Sequence, residues 1–169
     1  MSSISLIIEL LYVAIFATCF LLISLNDVRC REIPHRYLIA LCVLWIIGAV
    51  LIPLLGRPHS YLGDYVREGL LGAFALGGGS AVVAYVFESL GRVDAIGGGD
   101  IKLLAVIGLF LGVSKGLCAL VIGCLAAIIY VGFVWLGRKL KGGKHRKRVP
   151  RTFPFAPALT IGTMLMVLL

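Results

Sequence analysis

Carboxyl groups at the ends of apolar segments are the chemistry this sequence offers. Its 169 residues hold eight acids: Glu9, Asp27, Glu32, Asp64, Glu68, Glu88, Asp94 and Asp100. In a chain that is 60% hydrophobic and 14% charged, each acid calls for a reason. Asp64 and Glu68 fall between apolar runs and Glu32 lies among arginines, so these three read as solvated charges. Glu9 precedes Asp27 by eighteen residues, about 27 Å at helical rise, and snorkels or pairs locally. Four acids remain near helix ends on one side: Asp27, Glu88, Asp94 and Asp100. Asp27 follows the first apolar run. Asp100 closes Gly97-Gly98-Gly99-Asp100 and opens another. Asp94 is an understudy for Asp100 without the glycines, and reads as a loop charge.

Two carboxyls from different helix ends around one water are the minimum equipment for aspartyl proteolysis. One is ionised and takes a proton from the water. The other is protonated and polarises the scissile carbonyl. Close carboxyls resist double ionisation, so such a pair shares a proton and titrates as a unit. No cofactor or metal is needed. No Ser/His/Asp or Cys/His arrangement competes, because His35 and His145 lie in basic loops and His59 on the opposite side. The five cysteines form no C-x-x-C pair, so no zinc site is legible, and they read as small packing residues.

The elements that hold these acids are apolar helices. Mean hydropathy is +1.06, and a soluble core of this size could not bury so much apolar surface. Apolar runs are expected at 4–25, 37–55, 69–90, 101–113, 117–136 and 153–169. The expected fold is an all-α, polytopic membrane protein of about six transmembrane helices in a single domain, 1–169. The first run lacks a basic leader and a cleavage site, and reads as an anchor. Small residues at Gly69, Ala73, Gly77 and Ala81, and at Gly108, Gly112 and Gly116, predict close helix packing. The fourth run is short, about 20 Å against a 30 Å hydrocarbon core. Its polar end is therefore recessed, unless the bilayer thins. Asp100 is expected as the N-cap of that helix, and the three glycines as positions that allow positive φ and a neighbouring chain.

Basic residues give the sidedness. Arg29, Arg31, Arg36, Arg92 and the run from Arg138 to Arg151 flank the odd-numbered connections; Arg57, Arg67 and Lys115 flank the others. The positive-inside rule puts both termini outside and Asp27 and Asp100 at the cytoplasmic face. The net charge is +8. Its concentration in one run without interleaved aromatics reads as contact with anionic lipid, not nucleic acid.

At these residues the sequence resembles the type IV prepilin peptidases, membrane aspartyl proteases of the GxGD type. The matching pieces are the stretch from Asp27 to Leu38 with its Ile33-Pro34, the stretch Gly97-Gly98-Gly99-Asp100-Ile101-Lys102, and Phe153-Pro154-Phe155-Ala156-Pro157, where Ala156 replaces the usual Gly. The resemblance covers essentially the whole chain. It implies that Asp27 and Asp100 are the catalytic pair. It implies substrates among prepilins and pseudopilins, cut between a short basic leader and an apolar helix, usually after Gly. Lys102 belongs to the pattern, but at about 200° from Asp100 around the helix its side chain should face elsewhere; an interfacial snorkelling lysine is the simpler reading. Longer members carry a cysteine-rich zinc domain and an N-methylating activity. This chain resembles the short, peptidase-only form of tight-adherence or Flp-type pilus systems, with no S-adenosylmethionine. The rival expectations are a small proton- or ion-coupled transporter, or a pilus-assembly scaffold, using the same acids.

Overall fold

Inside a bilayer the backbone has no water to bond, so a run of about 20 apolar residues must satisfy its own N–H and C=O groups as a helix. A computed structural model describes residues 3–31, 33–54, 59–91, 97–140 and 155–169. The elements are α1 (Ser3–Cys30), α2 (His35–Leu54), α3 (His59–Ala73), a π-helical turn (Phe74–Gly78), α4 (Gly79–Ser89), α5 (Gly98–Leu140) and α6 (Ala156–Leu168). Among the described residues there is no strand. Ser5–Cys30, Tyr61–Ser89 and Gly98–Gly137 are long and apolar enough to cross a membrane; His35–Leu51 and Ala156–Leu168 are shorter apolar helices. The protein is an all-α membrane protein.

A straight α5 of 43 residues would be about 64 Å long, twice the hydrocarbon core. It is not straight. Gly112, at φ 71° and ψ −172°, interrupts it. A Cβ on Gly116 would lie 3.7 Å from the Cα of Gly108. Eight residues of continuous helix would separate those positions by about 12 Å, so the chain folds back at Gly112. A single glycine thus replaces the loop expected between the fourth and fifth apolar runs, because only glycine adopts that φ without strain. The segment 98–111 remains short, about 21 Å.

Residues 98–111 form the centre of the molecule. Leu103 and Ile107 are fully buried, within a core shared with Phe16, Phe20 and Ile23 of α1, Leu38 and Leu41 of α2, and Leu159 of α6. The α3–α5 seam is closed by glycines. A Cβ on Gly72 would run into the Gly108 carbonyl, and one on Gly108 into the Gly72 carbonyl. Gly69 and Gly77 face α5 as expected, but Ala73 is half-buried and Ala81 exposed, so Gly72 carries the closest contact. Gly123 and Gly162 similarly bring the second half of α5 against α6.

Several boundaries differ from the sequence reading. α1 runs on to Cys30, and α3 begins at His59, ten residues before its apolar run. Asp64 and Glu68 therefore lie on a helix, both 3.5 Å from Arg67. Hydropathy marks where the lipid ends, whereas a helix continues as long as its polar side chains find partners. Of the five cysteines, Cys30, Cys42 and Cys118 are exposed, so most do not pack inside. Glu32, Arg92, Asp94 and residues 141–154 lie outside the described residues.

The glycine seam is testable. Gly108→Ala forces a Cβ into the Gly72 carbonyl and should destabilise the fold by about 1–3 kcal/mol, the usual range for overpacking. Gly132→Ala, in open space on α5, should be neutral or stabilising by up to about 1 kcal/mol. Thermal unfolding in detergent micelles compares the two.

Candidate active site

Asp27 sits in the last turn of α1, inside the helix and not after it. The helix stops at Arg31, whose φ of 55° is left-handed and whose N–H donates to the Asp27 carbonyl at 2.9 Å. Glycine usually takes that capping position, because a Cβ is strained there. The turn sends the chain back so that Ile33 packs on Gly99; a Cβ on Gly99 would lie 3.3 Å from Ile33 Cβ. The glycine motif thus admits a neighbouring chain as expected. Neither Gly98 nor Gly99 has positive φ, so their service is bare surface and not left-handed backbone.

The Asp27 side chain is 7% exposed, which for an acid demands a partner. It has one in α6, where the Ala156 N–H donates to Asp27 Oδ2 at 3.0 Å. The start of α6 explains why that donor is free. Phe155 gives no side-chain cap, Pro157 has no N–H, and the N–H groups of Ala158 and Leu159 both donate to the Phe155 carbonyl at 3.1 Å. Ala156 is left with an orphan donor at the positive end of the helix dipole, and the Asp27 carboxylate supplies the missing cap.

Asp100 is the third helical residue of α5, not its N-cap. Gly97 takes the cap position, its carbonyl accepting from the N–H groups of Asp100 at 2.9 Å and Ile101 at 3.3 Å. The Asp100 carboxyl folds back toward that cap, with Oδ2 3.3 Å from where a Gly97 Cβ would stand. A first-turn acid is still favoured by the helix dipole. Asp27 and Asp100 lie within electrostatic reach of each other: the Asp27 charge acts on the half-buried Asp100 carboxyl, and Arg31 acts on Asp27. No hydrogen bond joins the two carboxyl groups. Gly98 faces open space beside Asp100. Lys102 is exposed and pairs with no acid among the described residues, and its angular offset turns it away from Asp100. Sequence reasoning gave Ala156 no role. The available signal was Pro157, which marks a helix start and removes a competing donor.

Residues 14–132 match the model of the type IV leader peptidase family. The chain belongs to this family. The matched region holds both aspartates, while the α6 amide that binds Asp27 lies beyond it. A prepilin leader peptidase/N-methyltransferase of Bacillus subtilis is 32% identical over 94% of this chain and 55% of its own length. A protein of the same description from Xanthomonas campestris is 31% identical over 88% of this chain and 46% of its own. The chain thus spans about half the length of the curated relatives it matches. No solved structure matches it significantly. Apolar helices together with bacterial relatives in this leader peptidase family indicate a prokaryotic membrane protein.

The Asp27–Ala156 bond separates a structural role of Asp27 from a chemical one. Asp27→Ala leaves a buried N–H without an acceptor and should lower stability by about 1–3 kcal/mol. Asp27→Asn keeps an acceptor oxygen and should lose much less. Hydrogen exchange at residues 155–160 should quicken in the alanine variant and stay close to wild type in the asparagine one.

Proposed function

We propose that the protein is an aspartic endopeptidase that removes the leader from type IV prepilins or pseudopilins at the cytoplasmic face of the membrane, with Asp27 and Asp100 as its catalytic carboxyls. The observation that carries this reading is a nearly buried Asp27, capped by the α6 amide, within electrostatic reach of Asp100. The substrate class rests on the family and on the relatives' description as prepilin leader peptidases. The cytoplasmic placement rests on the distribution of basic residues. The same distribution puts the basic run from Arg138 to Arg151 against anionic lipid.

Burial works against a charge on Asp27, while the Ala156 amide and Arg31 offset it, and in this reading Asp27 acts as the general base. Asp100, with that negative charge beside it, holds the shared proton. Asp27 takes a proton from water as the oxygen attacks the scissile carbonyl carbon. Asp100 donates to the carbonyl oxygen. The tetrahedral intermediate collapses as the C–N bond breaks, the leaving nitrogen receives the proton from Asp27, and a hydroxyl proton of the intermediate returns to Asp100. The open backbone at Gly98 leaves room for a peptide beside Asp100.

Asp27→Asn and Asp100→Asn should each lower prepilin cleavage in liposomes by about 10²–10⁴-fold, the usual worth of a general acid or base, with melting close to wild type. Full activity in either variant would overturn the reading. Because the two carboxyls alone activate the water, a chelator such as EDTA should leave the rate unchanged. A rate that collapses with EDTA and returns with a divalent ion would also overturn it.

A further inference from the structure

Helix α1 ends in a single-bond left-handed cap. Cys30 is its last residue, Arg31 adopts φ 55°, and the Arg31 N–H donates to the Asp27 carbonyl, four residues back, at 2.9 Å. Glycine is the usual residue at that position, because it takes a positive φ without a Cβ penalty. Among the described residues, Arg31 is the one non-glycine with positive φ. Turning the chain toward Ile33 requires left-handed backbone, and that requirement does not call for a side chain. Packing gives no reason for one either, since Arg31 is exposed.

The cap has a second property. It sets the side chain at the left-handed position against the side chain four residues earlier, a contact that is commonly apolar. Here the two are Arg31 and Asp27. A cation is also favoured at this end of a helix, where the dipole is negative. The groups that face the Asp27 carboxyl are the Ala156 N–H from α6, the Asp100 carboxyl from α5 and Arg31 from the end of α1. Arg36 of α2 turns to Tyr37 instead, with Cζ 4.9 Å from the ring centre. Arg29, His35 and Lys102 are exposed, and Glu32 lies outside the described residues. Among the described residues, Arg31 is the cation that acts on Asp27. Asp100 has no such cation, because the influences on it are burial and the Asp27 charge.

We propose that Arg31 is a positioning residue for the reaction: its guanidinium, set against Asp27 by the left-handed cap, determines that Asp27 and not Asp100 carries the negative charge of the pair. This rests on the peptidase reading above and adds to it the device that assigns the two roles. The strained backbone is kept for the side chain it carries. A fold that needed only the turn would be served better by glycine, so stability and activity respond to Arg31→Gly in opposite directions.

The test uses the full chain in phosphatidylcholine nanodiscs and follows kcat/KM for a prepilin peptide along the acidic arm of its pH profile. Arg31→Gly keeps the turn and removes the charge. Its melting temperature should stay level or rise by up to about 4 °C. Without the cation Asp27 holds its proton to higher pH, so the acidic arm should move up by about 0.3–0.7 pH unit. Rates on that arm then fall about two- to fivefold, while the plateau stays close to wild type. Arg31→Gln should move the arm equally without the gain in melting temperature, and Arg31→Lys should keep the wild-type profile. High salt should move the wild-type arm the same way, because an exposed guanidinium is screened. Carbon-13 NMR titration of the Asp27 carboxyl on an Asp100→Asn background should rank the variants alike without any need for cleavage. An Arg31→Gln profile that superimposes on wild type would overturn the proposal, as would an Arg31→Lys profile shifted as far as that of Arg31→Gln. An Arg31→Gly variant that melts well below wild type and loses activity at every pH would assign Arg31 to structure alone and overturn it too. Full cleavage by Asp27→Asn or Asp100→Asn would instead overturn the peptidase reading and leave the NMR titration to decide on Arg31.

Discussion

One hydrogen bond ties the two ends of this chain together at the point where its chemistry is proposed to lie. The Asp27 carboxylate accepts the Ala156 N–H across 129 residues of sequence. Each partner would be a liability alone, the carboxylate because it is nearly buried and the amide because Pro157 and Phe155 leave it uncapped. A buried acceptor and an orphan helix donor each carry a desolvation penalty that the other removes. The bond therefore fixes the last turn of α1 against the first turn of α6, and with it the direction of the Asp27 side chain.

The second acid reaches the same place by a different device. Asp100 rides on 98–111, whose Leu103 and Ile107 are fully buried and which is held from one side by the glycine seam with α3 and ended by the reversal at Gly112. Without a wide polar loop there, the segment stays short, about 21 Å against a hydrocarbon core of about 30 Å. The left-handed Arg31 and the bare Gly99 complete the approach by letting Ile33 lie over the start of α5. Strain at Arg31 and missing side chains at the glycines are what the fold gives up so that the end of α1 and the start of α5 can approach.

The packing of α4 contrasts with that of the rest of its helix. The same continuous stretch is seamed to α5 on one side of the π turn and nearly free on the other. Single π turns are often found where a helix serves a site, because they let its two halves face different neighbours. Here the packed half supports the element that bears Asp100, and the free half leaves an apolar flank outside the bundle.

The sequence by itself determined the class of the fold and the apolar segments, and it singled out Asp27 and Asp100 as candidates, because hydropathy and the scarcity of acids in lipid are one-dimensional properties. It also located the glycines that permit close approach. It placed Asp27 after α1 and Asp100 at a cap, and it expected a loop between the fourth and fifth apolar runs, where Gly112 alone turns the chain. Those features depend on partners far away in sequence. A helix continues through Asp27 because α6 satisfies the side chain, and Gly72 outranks Ala73 because α5 crosses at that face. Only the tertiary structure decided which donor holds the carboxylate, since an amide uncapped in α6 and an acid buried in α1 meet only once the chain has closed on itself.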